Sequence, residues 1–209
     1  MPDFIIENTC ISEGYRIIAG VDEVGRGSWA GPVVAAAVIL NRLKLKTELA
    51  KNLDDSKKLS VAQRNRCFVA IKECAMISVG ISNVSEIDSL NILKASMLAM
   101  ERAIIGLNLA PQIALIDGTQ RPNSSCITRC VVRGDTKSLS IAAASIVAKI
   151  NRDKIMKVLA TDYPGFGWDK NAGYGTIQHK LGLDRLGVTP YHRRSFKPIR
   201  KVLGQKTQI

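Results

Sequence analysis

The sequence predicts an α/β fold, and three observations carry that prediction. Five short apolar runs have the length and composition of buried strands. Longer stretches at 90–107 and 139–159 repeat their apolar residues at helical spacing. The chain has 209 residues, enough to bury a sizeable core without disulfides or structural metals.

The elements follow in order. Residues 16–23 (RIIAGVDE) read as a first strand, rich in Ile and Val, and a glycine-rich turn, VGRGSWAGP, leads into a second at 33–40 (VVAAAVIL). The turn makes these two a hairpin-like pair. Residues 41–59 are polar and read as a loop. Ser60-Val61-Ala62-Gln63 has the form of a capping box, and Cys67, Phe68, Ile71 and Ala75 follow at helical spacing, so a helix is predicted to about Cys74. A third strand is predicted at 76–82. The long helix at 90–107 carries Leu90, Leu93, Met97, Met100, Ile104 and Leu107 on one face, and Gly106 and Pro111 mark its end. Residues 113–116 form a fourth strand that ends in Asp117-Gly118. Residues 127–132 form a fifth, followed by Arg133-Gly134-Asp135. A helix rich in Ala and Ile is predicted at 139–159 and a short one near 176–186. With no repeat, low-complexity stretch or linker, the chain reads as one domain over 1–209. Its core covers about 14–162, and a basic, aromatic part covers about 163–209.

Lys and Arg number 30 against 18 Asp and Glu, a formal charge of +12. From Tyr163 onward, nine bases against two acids leave +7 in the last 47 residues, together with six of the ten aromatic side chains. Bases interleaved with aromatics suit a nucleic acid, a polyanion with flat faces. The longest apolar run, 32–40, is about half of the ~18–20 residues a bilayer requires, which predicts no membrane span. The opening MPDFIIENTC predicts no secretory signal. Five cysteines without a C-x-x-C pair, and only two histidines, argue against a zinc site. They fit reduced thiols in a cytoplasmic protein.

Four acids stand at strand ends. Asp22 and Glu23 close the first strand, Asp117 closes the fourth, and Asp135 follows the fifth. Ligands gather beyond strand ends in sheets covered by helices. If strands one and four are parallel neighbours, Asp22 and Asp117 meet. Two such charges ~4 Å apart repel by about 4 kcal/mol at an effective dielectric of ~20, and a divalent cation removes that repulsion. Carboxylates without histidine favour hard cations such as Mg²⁺ or Mn²⁺. Two such ions ~3.5–4 Å apart can activate water and stabilise the leaving oxygen of a phosphodiester. The plainer alternative is that each acid serves a turn or a helix cap, as Asp135 could for the helix that follows. Gly25-Arg26-Gly27 is no dinucleotide fingerprint, because Ala30 occupies the third glycine position and a strand follows. Glycines around an arginine allow backbone to approach a sugar-phosphate chain, or simply permit a tight turn.

Taken in order, AGVDEVGRG (19–27), AGPV (30–33), DSKKLS (55–60), EID (86–88), IDG (116–118), Gly134-Asp135, AAASIVAK (142–149) with Arg152-Asp153, Gly173-Tyr174 and HRRSF (192–196) resemble ribonuclease HII over nearly the whole chain. The resemblance implies an RNase H-like fold, a five-stranded mixed sheet flanked by helices, with a C-terminal helical extension. It implies Mg²⁺- or Mn²⁺-dependent hydrolysis of RNA in RNA–DNA hybrids, and incision 5′ to ribonucleotides embedded in duplex DNA, a task of repair and replication. The metal-binding catalytic carboxylates fall on Asp22, Glu23, Asp117 and Asp135. The turn that recognises the 2′-hydroxyl falls on Gly25, Arg26 and Gly27, the tyrosine that packs on the next sugar on Tyr174, and a phosphate-contacting lysine on Lys57. The resemblance implies two-metal, in-line attack of water, leaving 3′-hydroxyl and 5′-phosphate ends.

Two places depart from the commonest pattern. Ser28-Trp29 stands where Pro-Leu or Cys-Leu is frequent, and Gly175 where Pro or Ala is frequent. Arg26 in place of Lys argues against the related type HIII. The tail KVLGQKTQI lacks the paired aromatics of a sliding-clamp peptide, and a monomer is expected. His179 and His192 are open between phosphate contacts and local hydrogen bonding. Two other functions compete: a nuclease on the same fold that cuts all-DNA junctions, and a non-catalytic nucleic-acid binder.

Overall fold

A computed structural model of the chain describes residues 1–53 and 59–204. In chain order the elements are α1 (Ile5–Ser12), β1 (Ile18–Val24), β2 (Val33–Leu40), α2 (Thr47–Asn52), α3 (Val61–Cys74), β3 (Ala75–Ser82), α4 (Val84–Leu90), α5 (Ile92–Ile105), β4 (Ile113–Asp117), β5 (Ile127–Val131), α6 (Leu139–Asp162), α7 (Trp168–Asn171), α8 (Ile177–Leu186) and α9 (Lys197–Val202). The strands form one sheet in the order β3-β2-β1-β4-β5. β1 runs antiparallel to β2, as the short turn between them requires, and β2 antiparallel to β3. β1 and β4, and β4 and β5, are parallel. The sheet is therefore mixed and flanked by helices, as expected.

Strand alternation explains why helices cover both faces. In β2, Ala36 and Val38 pack with Ala143, Ile146 and Val147 of α6, while Val33, Ala35 and Ala37 pack with Ala99, Met100 and Ala103 of α5. Small residues on both sides let the helices lie close to the sheet. A separate apolar cluster joins the far half of α6 to the C-terminal part through Met156, Phe166, Trp168, Leu183 and Ile199.

The capping box at α3 forms as expected: the Ser60 side chain accepts from the Gln63 N–H, and the Gln63 side chain accepts from the Ser60 N–H. Elsewhere the sequence reading needs correction. The stretch read as a loop contains α2, a six-residue helix with no side-chain cap and too short to show a period. The helix read over 90–107 is α5, and it starts only after Asn91 at φ 71°, while the separate helix α4 ahead of it went unread. Asn tolerates this left-handed region, and its side chain accepts from the Leu93 and Lys94 N–H groups, starting α5. α1, α7 and α9 also went unread. α1 delivers the buried Glu7 to the N-terminus of α6, where its carboxylate accepts from Ser138 Oγ at 2.6 Å and the Ser140 N–H at 3.0 Å. All five cysteines are free. Among the described residues no helix is long and apolar enough to cross a membrane.

Candidate active site

The parallel register sets Val21 of β1 opposite Ile116 of β4, so Asp22 and Asp117 occupy the next position on neighbouring strands. Asp22 is buried, with its Oδ1 accepting from the Glu23 N–H at 2.7 Å and its carboxylate accepting from the Ser145 hydroxyl of α6. Burial first, then the charges of Glu23 and Asp117, push its pKa well above the usual carboxylate range. Glu23 is also raised by burial, opposed by Arg26, whose Nη1 lies 3.1 Å from Oε1. The other oxygen, Glu23 Oε2, is buried without a hydrogen-bond partner.

Asp117 Oδ1 accepts from the Gly134 N–H at 2.6 Å. That bond ties the end of β4 to the 3₁₀ turn Gly134–Thr136, which carries the buried Asp135. The cap of α6 is Ser138, whose hydroxyl accepts from the Ile141 N–H. Capping therefore does not account for Asp135.

The structure thus brings Asp22, Glu23 and Asp117 into mutual electrostatic contact and links Asp117 to the turn of Asp135. Among the described residues no three Asp, Glu, His or Cys side chains are already closed into a chelating set. The donors present nonetheless fit a hard cation. All are carboxylate oxygens, two of the groups are pushed toward protonation by burial and mutual repulsion, and one buried oxygen lacks a partner.

The glycine turn follows directly. Gly25 takes φ 96°, a conformation that an L side chain rarely adopts. Tyr174, 40% exposed, stands beside it: a Cβ placed on Gly27 would lie 3.6 Å from the tyrosine ring. Turn and tyrosine therefore border one surface. The two departures from the family pattern form a single contact, because a Cβ on Gly175 would fall 2.1 Å from the Trp29 ring. Lys57 lies outside the described residues.

His179 and His192 are fully buried, with their Nε2 atoms 3.0 Å apart. Trp168 Nε1–H donates to His179 Nε2, so His179 carries its proton on Nδ1 and donates it to the Tyr174 carbonyl at 3.0 Å. Local hydrogen bonding, not phosphate, explains both histidines. The C-terminal aromatics are also partly core: Phe166 and Trp168 are buried, while Tyr174 and Tyr191 are exposed. Arg193, counted by sequence among bases that would hold a duplex, is fully buried. Three site residues escaped sequence reasoning as such: Ser145, Arg152 and Arg193. Arg152 and Arg193 lie in blocks that carry the resemblance, but nothing local marks them as buried.

An RNase H-like sheet with desolvated carboxylates on adjacent strand ends defines a metal-dependent nuclease. The Ribonuclease HII family model matches residues 19–199, and the chain belongs to that family, whose activity is hydrolysis of RNA in RNA–DNA hybrids. It is 52% identical over 206 residues to the ribonuclease HII of Ruegeria pomeroyi, covering 98% of this chain and 86% of that one. It is 54% identical over 203 residues to that of Jannaschia sp., covering 97% and 98%. The solved ribonuclease H2 of Pyrococcus horikoshii OT3 superposes with a TM-score of 0.73 at 25% identity, covering 90% of this chain and 97% of that one. The RNase HII of Archaeoglobus fulgidus, solved as a complex with PCNA, shares the fold at a TM-score of 0.73 and 24% identity, covering 87% and 96%.

Proposed function

We propose that this chain incises duplexes on the 5′ side of a ribonucleotide, both in RNA–DNA hybrids and where a single ribonucleotide is embedded in DNA. The observation that supports this most is a juxtaposition. The repelling carboxylates, with the unpartnered Oε2 of Glu23, stand immediately before a glycine turn that borders Tyr174. Asp22, Glu23, Asp117 and Asp135 would hold Mg²⁺ or Mn²⁺. When bound, two such ions supply a water of lowered pKa and offset charge on the leaving oxygen.

The chain's own residues have distinct tasks. Arg26 orients Glu23 through its 3.1 Å contact, and Ser145 and the Glu23 N–H hold Asp22. The Gly25-Arg26-Gly27 backbone meets the 2′-hydroxyl, the group that distinguishes RNA from DNA at one nucleotide. Tyr174 packs on the sugar that follows, and Lys57 meets a phosphate. Reading the sugar rather than base edges makes cutting independent of sequence, which suits a monomeric cytoplasmic enzyme that removes ribonucleotides during repair and replication.

The test is a DNA duplex with one ribonucleotide, supplied with Mg²⁺ or Mn²⁺. The expected products carry 3′-hydroxyl and 5′-phosphate ends, and folded protein that cuts with neither metal overturns the reading. Thermal unfolding gives a readout without substrate: either cation raises the midpoint of the unaltered chain and not that of Asp22→Asn.

A further inference from the structure

Arg152 and Arg193 are fully buried, and among the described residues neither forms an ion pair. Backbone carbonyls take the place of acids. Arg152 donates from Nε to Pro32 O at 2.9 Å, from Nη1 to Ala172 O at 2.8 Å and from Nη2 to Ala30 O at 3.2 Å. Arg193 donates from Nε to Gly31 O at 2.9 Å, from Nη1 to Arg26 O at 3.0 Å and from Nη2 to Pro32 O at 3.2 Å. Arg193 therefore reaches into the glycine turn itself.

The turn is closed by the Ser28 N–H donating to Gly25 O, so the Arg26–Gly27 peptide is its central one. Type I and type II turns differ by a flip of that peptide, and a glycine at the third position is at home in either. Gly27 keeps its φ outside the left-handed region, so the flipped, type II form is not the one adopted. Arg193 draws the Arg26 oxygen inward, and peptide planarity then sends the Gly27 N–H the opposite way. Among the described residues that N–H has no hydrogen-bond acceptor.

We propose that Arg193 is a positioning residue for ribonucleotide recognition: it holds the Arg26 carbonyl inward and so keeps the Gly27 amide aimed outward as a donor to the 2′-hydroxyl. The inference rests on the reading that this turn meets the ribose. Arg152 braces the other side, since a Cβ on Gly25 would lie 2.1 Å from its Nε. The forked guanidinium is needed because its three donor atoms span carbonyls of Arg26, Gly31 and Pro32; a lysine keeps the charge and loses the fork.

The experiment measures binding in a chelator, with no metal and no turnover. It compares a duplex carrying one ribonucleotide with the all-DNA duplex of the same sequence. The unaltered chain prefers the ribonucleotide, and Arg193→Gln and Arg193→Lys, checked for folding by circular dichroism, lose that preference by about tenfold while all-DNA affinity holds, a change worth about 1.4 kcal/mol. A purely structural arginine would weaken both duplexes together. Folded Arg193→Gln or Arg193→Lys that keeps the full preference overturns the assignment. No preference in the unaltered chain overturns the ribose reading of the turn, and the assignment with it. If both variants fail to fold, the Gly27 amide signal of the unaltered, isotope-labelled chain decides: it shifts with the ribonucleotide duplex and not with all-DNA, and equal shifts overturn the proposal.

Discussion

At the ends of β1 and β4, buried carboxylates repel one another and one oxygen of Glu23 has no partner. Behind the neighbouring glycine turn, two buried guanidiniums donate to five backbone carbonyls. Both regions place charge where water is scarce, and a buried charge is costly wherever it sits. The arginines are satisfied by the chain itself, so their charge fixes geometry. The carboxylates are satisfied only in part: they repel one another and Glu23 Oε2 has no partner, which fits the cation site proposed above. Charge that the fold completes serves as scaffold; charge that it leaves incomplete is where the proposed cation would act.

Substitutions break this comparison in opposite senses. The largest effect is expected at the acids. Asp22→Asn and Asp117→Asn each lower incision by about 10³-fold, the upper range for losing one electrostatic group at a reacting centre. Their unfolding midpoints hold or rise, because a mutual repulsion is relieved; a matched loss of stability would show these acids to be scaffold. Arg152→Met should do the reverse. It removes three buried hydrogen bonds to a charged group. Pro32 O keeps Arg193 and Ala172 O keeps the Ser28 hydroxyl, but Ala30 O is left unsatisfied. At about 1–3 kcal/mol for that group plus the lost bonds, urea unfolding should report a loss of about 3 kcal/mol or more.

The buried imidazoles sharpen the comparison through pH. Burial, then His179, presses the pKa of His192 from 6.5 down to about 3. The unfolded chain therefore binds the proton first. Stability is whole above about pH 6.5 and is lost toward pH 3, at about 1.4 kcal/mol per pH unit for this one group. Urea titrations across that window should show the slope, and it should be shallower in His192→Gln. The smallest effect is steric: Gly175→Ala should lose about 1 kcal/mol against the Trp29 ring, recovered when Trp29→Leu is added.

Much of the frame was legible because its signals are local. The run VVAAAVIL, the capping box at Ser60 and the acids at strand ends each announce themselves within a few residues. The acid pair needed one further fact, that β1 and β4 are parallel neighbours, and the register supplied it. Short helices such as α2 and α7 carry no period to read. Asn91 resembles any polar residue until its backbone angle is known. Arg152 and Arg193 were illegible for a deeper reason. Their partners lie up to 167 positions away in sequence, and an arginine in a basic tail looks like a surface charge until the chain closes over it.

The Trp29–Gly175 contact couples two distant positions of the sequence. With the indole in place, position 175 has no room for even a methyl group. An alanine there must push the indole aside at the modest cost predicted above, so each of the two positions limits what the other accepts. The two positions therefore change with least strain together, and position 175 is next in sequence to Tyr174.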